Sequence, residues 1–203
     1  MADTKMITKA TVCEILNHWL LAVSFFILTV SGFGFLFQMS GVGALFGGFN
    51  QMRVIHNWSG IVFLISLFLT MFNYLPLSLS FSREDLGWLR AGGGYLSRNV
   101  DVPPQDAINT GQKLFYLLFL VLSCANSASG LLIWLRADIK SLVLVSLLVH
   151  NLSFNLLVIM MPLHIYLSTL ANPGTYRIML DGKMPLAWAK QHHGKWVKKM
   201  GFE

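Results

Sequence analysis

The sequence predicts an all-α integral membrane protein built as a four-helix bundle. The first observation is composition, because 55% of the 203 residues are hydrophobic and only 12% are charged, whereas a soluble domain carries about 25% charged residues. The second observation is that four apolar stretches reach the length of about 20 residues that a helix needs to cross a bilayer core. With so little polar surface, the membrane is the expected environment.

The apolar stretches set the predicted organisation, a single membrane domain over residues 1–203. Transmembrane helices are expected at about residues 12–37, 53–78, 111–136 and 141–171. The segments between and after them are a Gly-rich connection, a longer mixed segment, a tight turn and a basic polar tail, at residues 38–52, 79–110, 137–140 and 172–203. The mixed segment predicts a short amphipathic helix that breaks at the glycine run 92–94.

The distribution of basic residues predicts the orientation in the membrane. Twelve Lys and Arg residues lie in the N-terminal segment, the second connection and the tail, whereas three lie on the other side: Arg53, Arg136 and Lys140. By the positive-inside rule, this asymmetry places both termini in the cytoplasm. The net charge of +6 is therefore interpreted as a topology signal. Binding of the tail to anionic lipid or RNA is the weaker alternative, and no nucleic-acid partner is expected.

Four of the six histidines lie inside apolar stretches: His18, His56, His150 and His164. Imidazole nitrogens are costly in a membrane interior and usually mark a functional site. The separation of 14 positions from His150 to His164 returns a helix to nearly the same face after a rise of about 21 Å. This spacing predicts two sites on one helical stripe, near opposite surfaces of the membrane.

Depth in the membrane predicts how the histidines pair. His56 and His150 fall near the outer ends of their helices, whereas His18 and His164 fall near the inner ends. Two pairs of imidazoles, each shared by two helices, meet the axial-ligand requirement of two six-coordinate haems b. We therefore predict an outer haem on His56 and His150 and an inner haem on His18 and His164. The chain has no C-x-x-C-H motif, which excludes covalent c-type haem.

Small residues would let the wide porphyrin approach the helices closely. The candidates for this haem packing are Gly32, Gly34, Gly60 and Gly130.

Other uses of the histidines explain the pattern less well. Interhelical hydrogen bonding leaves the matched depths unexplained, and zinc needs its ligands within one tetrahedron. Met160 and Met161 could serve as axial ligands, although membrane methionines more often fill packing gaps. A haem-free transporter with a proton relay would be expected to carry several intramembrane acids, and the apolar stretches contain only Glu14, near an edge.

Several motifs follow one another along nearly the whole chain. They are NHWL at residues 17–20, SG at 31–32, IHNWSG at 55–60, NTGQK at 109–113, SGLLIW at 129–134, the histidine spacing of the fourth stretch and DGKMPLAWAKQHHGKW at 181–196. In these motifs the chain resembles the gamma subunit, the di-haem cytochrome b, of respiratory membrane-bound formate dehydrogenases.

The resemblance implies an electron-transfer subunit of an oxidoreductase complex in the bacterial inner membrane. Electrons would come from a periplasmic iron–sulfur beta subunit, cross two haems b and reduce menaquinone or ubiquinone near the cytoplasmic side, with proton uptake. A molybdenum or tungsten alpha subunit would carry the formate chemistry, so none is expected on this chain. The connections 38–52 and 137–140 would offer the outer docking surface, and the complex could form a higher-order oligomer.

The resemblance also implies a quinone site formed by Asn109, Gly111, Gln112 and the haem ligand His164. An amide donor suits a quinone carbonyl that gains electrons. From the residues alone, the motif NTGQK is more typical of a helix N-cap, whereas the resemblance favours the quinone role, and the two interpretations are compatible. The tail histidines His192 and His193 match the family but lie outside the membrane, which favours a docking or structural role.

One alternative keeps the electron transfer and changes the partner. The four-helix di-haem pattern is shared with cytochromes of hydrogenases and thiosulfate reductases, so the cytochrome b subunit of a nickel–iron hydrogenase or of another molybdenum oxidoreductase is the second interpretation.

Overall fold

A computed structural model describes residues 5–94, 101–136 and 138–202. Over these residues the chain is mainly helical. The helices are α1 (Val12–Leu36), α2 (Ser40–Leu45), α3 (Phe49–Leu79), α4 (Arg83–Arg90), α5 (Thr110–Leu135), α6 (Lys140–Ser168), α7 (Ile178–Asp181), α8 (Leu186–His192) and α9 (Gly194–Lys199). Four of them, α1, α3, α5 and α6, are long and apolar enough to cross a membrane. The prediction of four long apolar helices is confirmed.

The helix boundaries differ from the predicted ones mainly before α3. Helix α3 begins at Phe49 rather than near Arg53, and the Gly-rich connection contains the short helix α2. Gly47 and Gly48 have φ values of 83° and 109°, a backbone region that glycine enters without steric cost. The chain therefore turns within these two residues and starts the next helix at once. The predicted amphipathic helix before the glycine run is confirmed as α4.

The chain divides into two compact units. The first contains Met1–Ile15, Met71–Phe119 and Ser168–Glu203, and the second contains Leu16–Thr70 and Leu120–Leu167. The unit boundaries therefore fall within long helices, and the single membrane domain over the whole chain stays a prediction.

The second unit buries small polar side chains and exposes large apolar ones. Its buried residues include Ser31, Ser66 and Ser123, each 0% exposed, whereas Leu148 and Ile159 are 69% and 71% exposed. Small residues let transmembrane helices approach closely, and large apolar side chains are compatible with lipid. This distribution is what a membrane protein requires.

The first unit contains a two-stranded antiparallel sheet, which the all-α prediction missed. Strand β1 (Met6–Thr8) pairs with β2 (Lys183–Pro185), and Ile7 lies opposite Met184. A hydrophobic cluster of buried side chains lies around the strands: Ile7, Met184, Leu186, Ala189 and Val197. The segment predicted as a basic polar tail is therefore folded, because its apolar residues bury one another.

Gly182 closes the connection into β2, and we expect alanine there to be costly. Its φ is 76° and a Cβ would overlap the carbonyl oxygen of Ala10; its own carbonyl accepts hydrogen bonds from the amides of Lys9 and Ala10, at 2.7 and 3.1 Å. We predict that Gly182→Ala lowers the thermal unfolding midpoint of the detergent-solubilised protein. Gly201→Ala is the control, since Gly201 has a φ of 78° and open space around it. This control should show only the left-handed cost of about 1–2 kcal/mol, and an equal loss at both positions would contradict the packing argument.

Candidate functional site

The second unit brings the four membrane histidines together as two pairs. The rings of His56 on α3 and His150 on α6 have their centres 6.3 Å apart, with a 64° angle between the ring planes. The rings of His18 on α1 and His164 on α6 are also 6.3 Å apart, at 33°. These are the two pairs expected from membrane depth. That the histidines ligate haem stays a prediction.

The ring separations fit one metal ion between the two imidazoles of each pair. A metal–nitrogen bond of about 2 Å on each side, with about 1 Å from each nitrogen to its ring centre, places the ring centres about 6 Å apart. Over the residues that the structure describes, no group of three or more His, Cys, Asp or Glu side chains could hold a metal ion. Two protein ligands per site suit haem iron, because the porphyrin supplies the other four nitrogens.

The His150 ring is held in one tautomer by α5. Its Nδ1 lies 2.9 Å from the backbone carbonyl oxygen of Asn126, and a carbonyl can only accept a hydrogen bond. Nδ1 therefore carries the proton and Nε2 keeps its lone pair. The Ser129 hydroxyl lies 3.3 Å from the same nitrogen. A second partner of this kind orients a metal-binding histidine and raises its basicity.

The His56 ring is held in the same tautomer by α1. Its Nδ1 lies 2.7 Å from the Ser31 hydroxyl oxygen. That hydroxyl donates its single proton to the carbonyl of Ile27, 2.6 Å away, so it accepts from His56. Both histidines of the outer pair thus present an unprotonated Nε2, the form that binds a metal.

The inner pair contains a buried ring nitrogen that is not satisfied. The Nδ1 of His18 has no hydrogen-bond partner in the described part of the chain. An unpaired polar atom in an apolar interior is costly unless a ligand or a water satisfies it. The inner pair therefore also fits a bound group better than plain packing.

Of the four glycines assigned to haem packing, Gly130 is the one that contacts a site histidine. A Cβ at Gly130 would lie 3.0 Å from Cε1 of His150, so glycine leaves room for this ring. The others face apolar side chains, with Phe154 at 3.2 Å from a Cβ at Gly32, Met52 at 3.0 Å from one at Gly34 and Leu28 at 4.0 Å from one at Gly60. Their role in haem packing stays a prediction.

The predicted quinone residues of the first unit form a reciprocal helix cap. The amide of Asn109 donates to Oε1 of Gln112 at 2.8 Å, and the amide of Gln112 donates to Oδ1 of Asn109 at 2.9 Å. This is the arrangement of a capping box, so the N-cap interpretation is confirmed. Because both side-chain oxygens accept from the backbone, both NH₂ groups are left as donors, without a partner in the described residues.

The remaining quinone residues are placed separately. Gly111 lies against an aromatic ring, since a Cβ there would come within 2.8 Å of Cη2 of Trp88. His164 belongs to the second unit and Gly111 to the first. That Asn109, Gly111, Gln112 and His164 bind quinone stays a prediction.

A buried ion pair between Asp85 and Lys113 lies next to the capping box. Asp85 and Lys113 are 3% and 6% exposed, and Lys113 donates to both Asp85 oxygens at 2.9 Å. The Thr110 hydroxyl donates to Asp85 at 2.7 Å. Burial alone would raise the pKa of Asp85, but hydrogen bonds from Lys113, Thr110 and Ser82 outweigh it and lower the pKa to about 2. Asp85 is therefore a fixed anion.

Sequence reasoning missed the residues that support the site. Ser31 and Ser129 occur in motifs that carry the family resemblance, but their hydroxyls had no assigned partner. Lys113 belongs to the NTGQK motif and Asp85 to the predicted amphipathic helix, but neither had an assigned partner. The one available signal was a charged residue beside an apolar run, since a lysine at that place needs a partner.

A comparison with protein families identifies the chain. The model described as prokaryotic cytochrome b561 matches residues 10–182. The chain belongs to the prokaryotic cytochrome b561 family. It is thus a haem-binding electron-transport protein, and with four helices able to span a membrane it is a multi-pass protein of the bacterial inner membrane.

Individual relatives of this cytochrome extend over nearly its whole length. The formate dehydrogenase cytochrome b556(fdo) subunit of Escherichia coli (strain K12) is 30% identical over 199 residues, 96% of this chain and 93% of the relative. The nitrate-inducible formate dehydrogenase cytochrome b556(Fdn) subunit of the same strain is 24% identical over 98% of this chain and 94% of the relative. A formate dehydrogenase cytochrome b556 subunit of Haemophilus influenzae is 23% identical over 97% and 84%. The predicted resemblance is confirmed.

Proposed function

We propose that this cytochrome is the membrane subunit of a formate dehydrogenase complex that holds two haems b and delivers electrons to a quinone. The observation that carries the proposal is the occurrence of two histidine pairs with ring centres 6.3 Å apart. The relatives named as formate dehydrogenase subunits support the choice of complex. When bound, the haems supply one-electron carriers between an outer iron–sulfur subunit and a quinone near the cytoplasmic side.

Each histidine pair has a defined role in this proposal. His56 and His150 hold the outer haem, and His18 and His164 hold the inner haem. For the outer pair, hydrogen bonds to Nδ1 fix the ring direction before a ligand arrives, at 2.7 Å for His56 and 2.9 Å for His150. This preorganisation favours binding, because less rotational freedom is lost.

The charge distribution supports cytoplasmic termini. The twelve basic residues assigned to the inner side belong to the segments of the first unit, and Arg53, Arg136 and Lys140 belong to the second. Of the twelve, Arg98 lies outside the described residues. By the positive-inside rule, this asymmetry supports a cytoplasmic side for the segments that carry the twelve basic residues, and the proposal assigns Asn109, Gly111 and Gln112 to that side.

The capping box supplies the donors for a quinone. The NH₂ groups of Asn109 and Gln112 cannot turn away, because their oxygens are held by backbone amides at 2.9 and 2.8 Å. A quinone carbonyl that accepts electrons gains negative charge, and fixed donors stabilise that charge. His164 is assigned to quinone binding by the family resemblance, and in this proposal the protons come from the cytoplasm.

The partners in this proposal are an iron–sulfur beta subunit and a catalytic alpha subunit with molybdenum or tungsten. The beta subunit docks on the outer connections 38–52 and 137–140. Ala137 lies outside the described residues. In the first of these, Leu45 on α2 is 81% exposed and Met39 is 44% exposed, so apolar surface is available for a partner or for lipid.

A spectrum of the purified cytochrome tests the proposal. We expect a b-type difference spectrum between dithionite-reduced and oxidised protein, about two haems per chain by the pyridine adduct, and reduction of the haem by a menaquinol analogue. A folded chain without haem would contradict the proposal and favour the haem-free proton relay. If haem is present and nickel co-purifies in place of molybdenum or tungsten, the interpretation as a hydrogenase cytochrome b subunit would be favoured.

The hydrogen bond that His56 Nδ1 donates to the Ser31 hydroxyl gives a more local prediction. We expect Ser31→Ala to weaken haem binding at the outer site by about tenfold, the lower end of the effect of losing such a partner. Haem retention during detergent dilution measures this. Ser24→Ala is the matched control, because the Ser24 hydroxyl also donates to the carbonyl four residues before it, at 2.8 Å, and has no hydrogen bond to a histidine among the described residues. Equal haem loss in both variants would count against a specific role for Ser31.

A further inference from the structure

The C-terminal histidine His193 is buried and bonded to the loop that precedes α5. It is 0% exposed, and its Nδ1 lies 2.7 Å from the carbonyl oxygen of Asp106, 87 residues away in sequence. The carbonyl accepts, so Nδ1 carries the proton. Burial lowers the pKa of His193 to about 4, and the nearby Lys9 charge adds to that effect. The ring is therefore neutral at pH 7, with one fixed donor.

Three consecutive residues of the same loop, 105–107, are each bonded to a lysine from another segment of the first unit. The amide of Lys195 donates to the carbonyl oxygen of Gln105 at 3.0 Å. Lys199 pairs with the carboxylate of Asp106, and Lys9 donates to the carbonyl of Ala107. Residues 101–109 have no helix or strand of their own, so these bonds supply what regular secondary structure would otherwise provide.

The loop in turn determines where the cap begins. Oε1 of Gln105 accepts from the amide of Thr110 at 3.0 Å, and Ile108 is 7% exposed. Asn109 follows directly, and its side chain closes the capping box with Gln112. A shift of the loop would therefore move the first turn of α5 and the two amide donors with it.

We propose that His193 is a positioning residue for the quinone site, and that the segment after α6 clamps the loop presenting Asn109. The inference rests on the proposed quinone function of Asn109 and Gln112. His193 touches no substrate and acts through the Asp106 carbonyl. Its neighbour His192 has a local role, since it stacks on Trp188 with ring centres 4.2 Å apart.

Three substitutions in the complete complex test the proposal by quinone kinetics. H193L removes the donor, H193N keeps a donor near the position of Nδ1, and H193Q moves the donor towards the position of Nε2. We expect H193L and H193Q to raise the KM for a menaquinone analogue about tenfold, as expected for loss of one buried hydrogen bond. H193N should remain within about twofold of the wild type, because a retained hydrogen bond costs little. Haem content and the reduced-minus-oxidised spectrum should stay unchanged in all three.

Two results would overturn the proposal. One is an unchanged KM in H193L with full haem content. The other is an equal rise of KM in H193N and H193Q, which would show that packing, and not the donor at Nδ1, is what matters. If H193L does not assemble, the comparison of the two amide variants still decides. H192L is the control and should leave KM unchanged. A wild-type complex that lacks haem or does not respond to quinone would instead contradict the proposed function itself.

Discussion

Replacing His56 with alanine is expected to lower the haem content of the purified cytochrome from about two to about one per chain, and His150→Ala should do the same. The reason is that a bis-histidine haem needs both axial ligands, and the rings of this pair lie 6.3 Å apart with no third metal-binding side chain grouped with them among the described residues. His18→Ala and His164→Ala should each remove the other haem. The measurement is the pyridine adduct per polypeptide.

Double variants test the pairing directly. The variant lacking His56 and His150 should keep about one haem, because both substitutions act on one site. The variant lacking His56 and His164 should keep none, since it damages both sites. His192→Ala, which changes a histidine of the C-terminal segment, is the control and should keep both haems. Loss of both haems from the first double variant would show that the pairing is wrong.

Asp85→Asn is expected to destabilise the first unit strongly. The substitution leaves the Lys113 ammonium buried at 6% exposure without its anion, and breaking a buried pair in this way costs about 3–5 kcal/mol. The measurement is denaturant or thermal unfolding in detergent. Glu84→Gln is the matched control on the same helix, because the Glu84–Lys195 pair has side chains 38% and 37% exposed. Loss of an exposed pair should cost much less, because solvent screens it.

The same ion pair predicts a dependence of stability on pH. The folded-state pKa of Asp85 is lowered to about 2, whereas an ordinary Asp titrates near about 4. The stabilisation is therefore complete above the unfolded value and is lost as the pH falls from about 4 to about 2. Asp85→Asn should remove this part of the acid sensitivity. A variant with the same acid unfolding curve as the wild type would contradict the assignment.

Local features of the sequence were sufficient for much of the candidate site. The cap at Asn109 uses residues three apart, so NTGQK alone predicted it. The histidine pairs followed from helix rise and topology, because depth in a bilayer depends only on distance from the helix end. The supporting contacts did not follow, since Ser31 and His56 are 25 residues apart and His193 and Asp106 are 87 apart. No local pattern encodes such partners.

The four membrane helices and the shared depths of the histidines can therefore be predicted from local sequence alone. The physical reason is that a helix needs about 20 apolar residues to cross the lipid, and that an imidazole within such a stretch is energetically costly and therefore indicates a site. Three features emerge only in the folded chain: the tautomers of His56 and His150, the burial of the Asp85–Lys113 pair and the folded C-terminal segment around His193. These depend on which distant side chains meet once the chain is folded, and hydrogen-bond geometry exists only after that packing is complete.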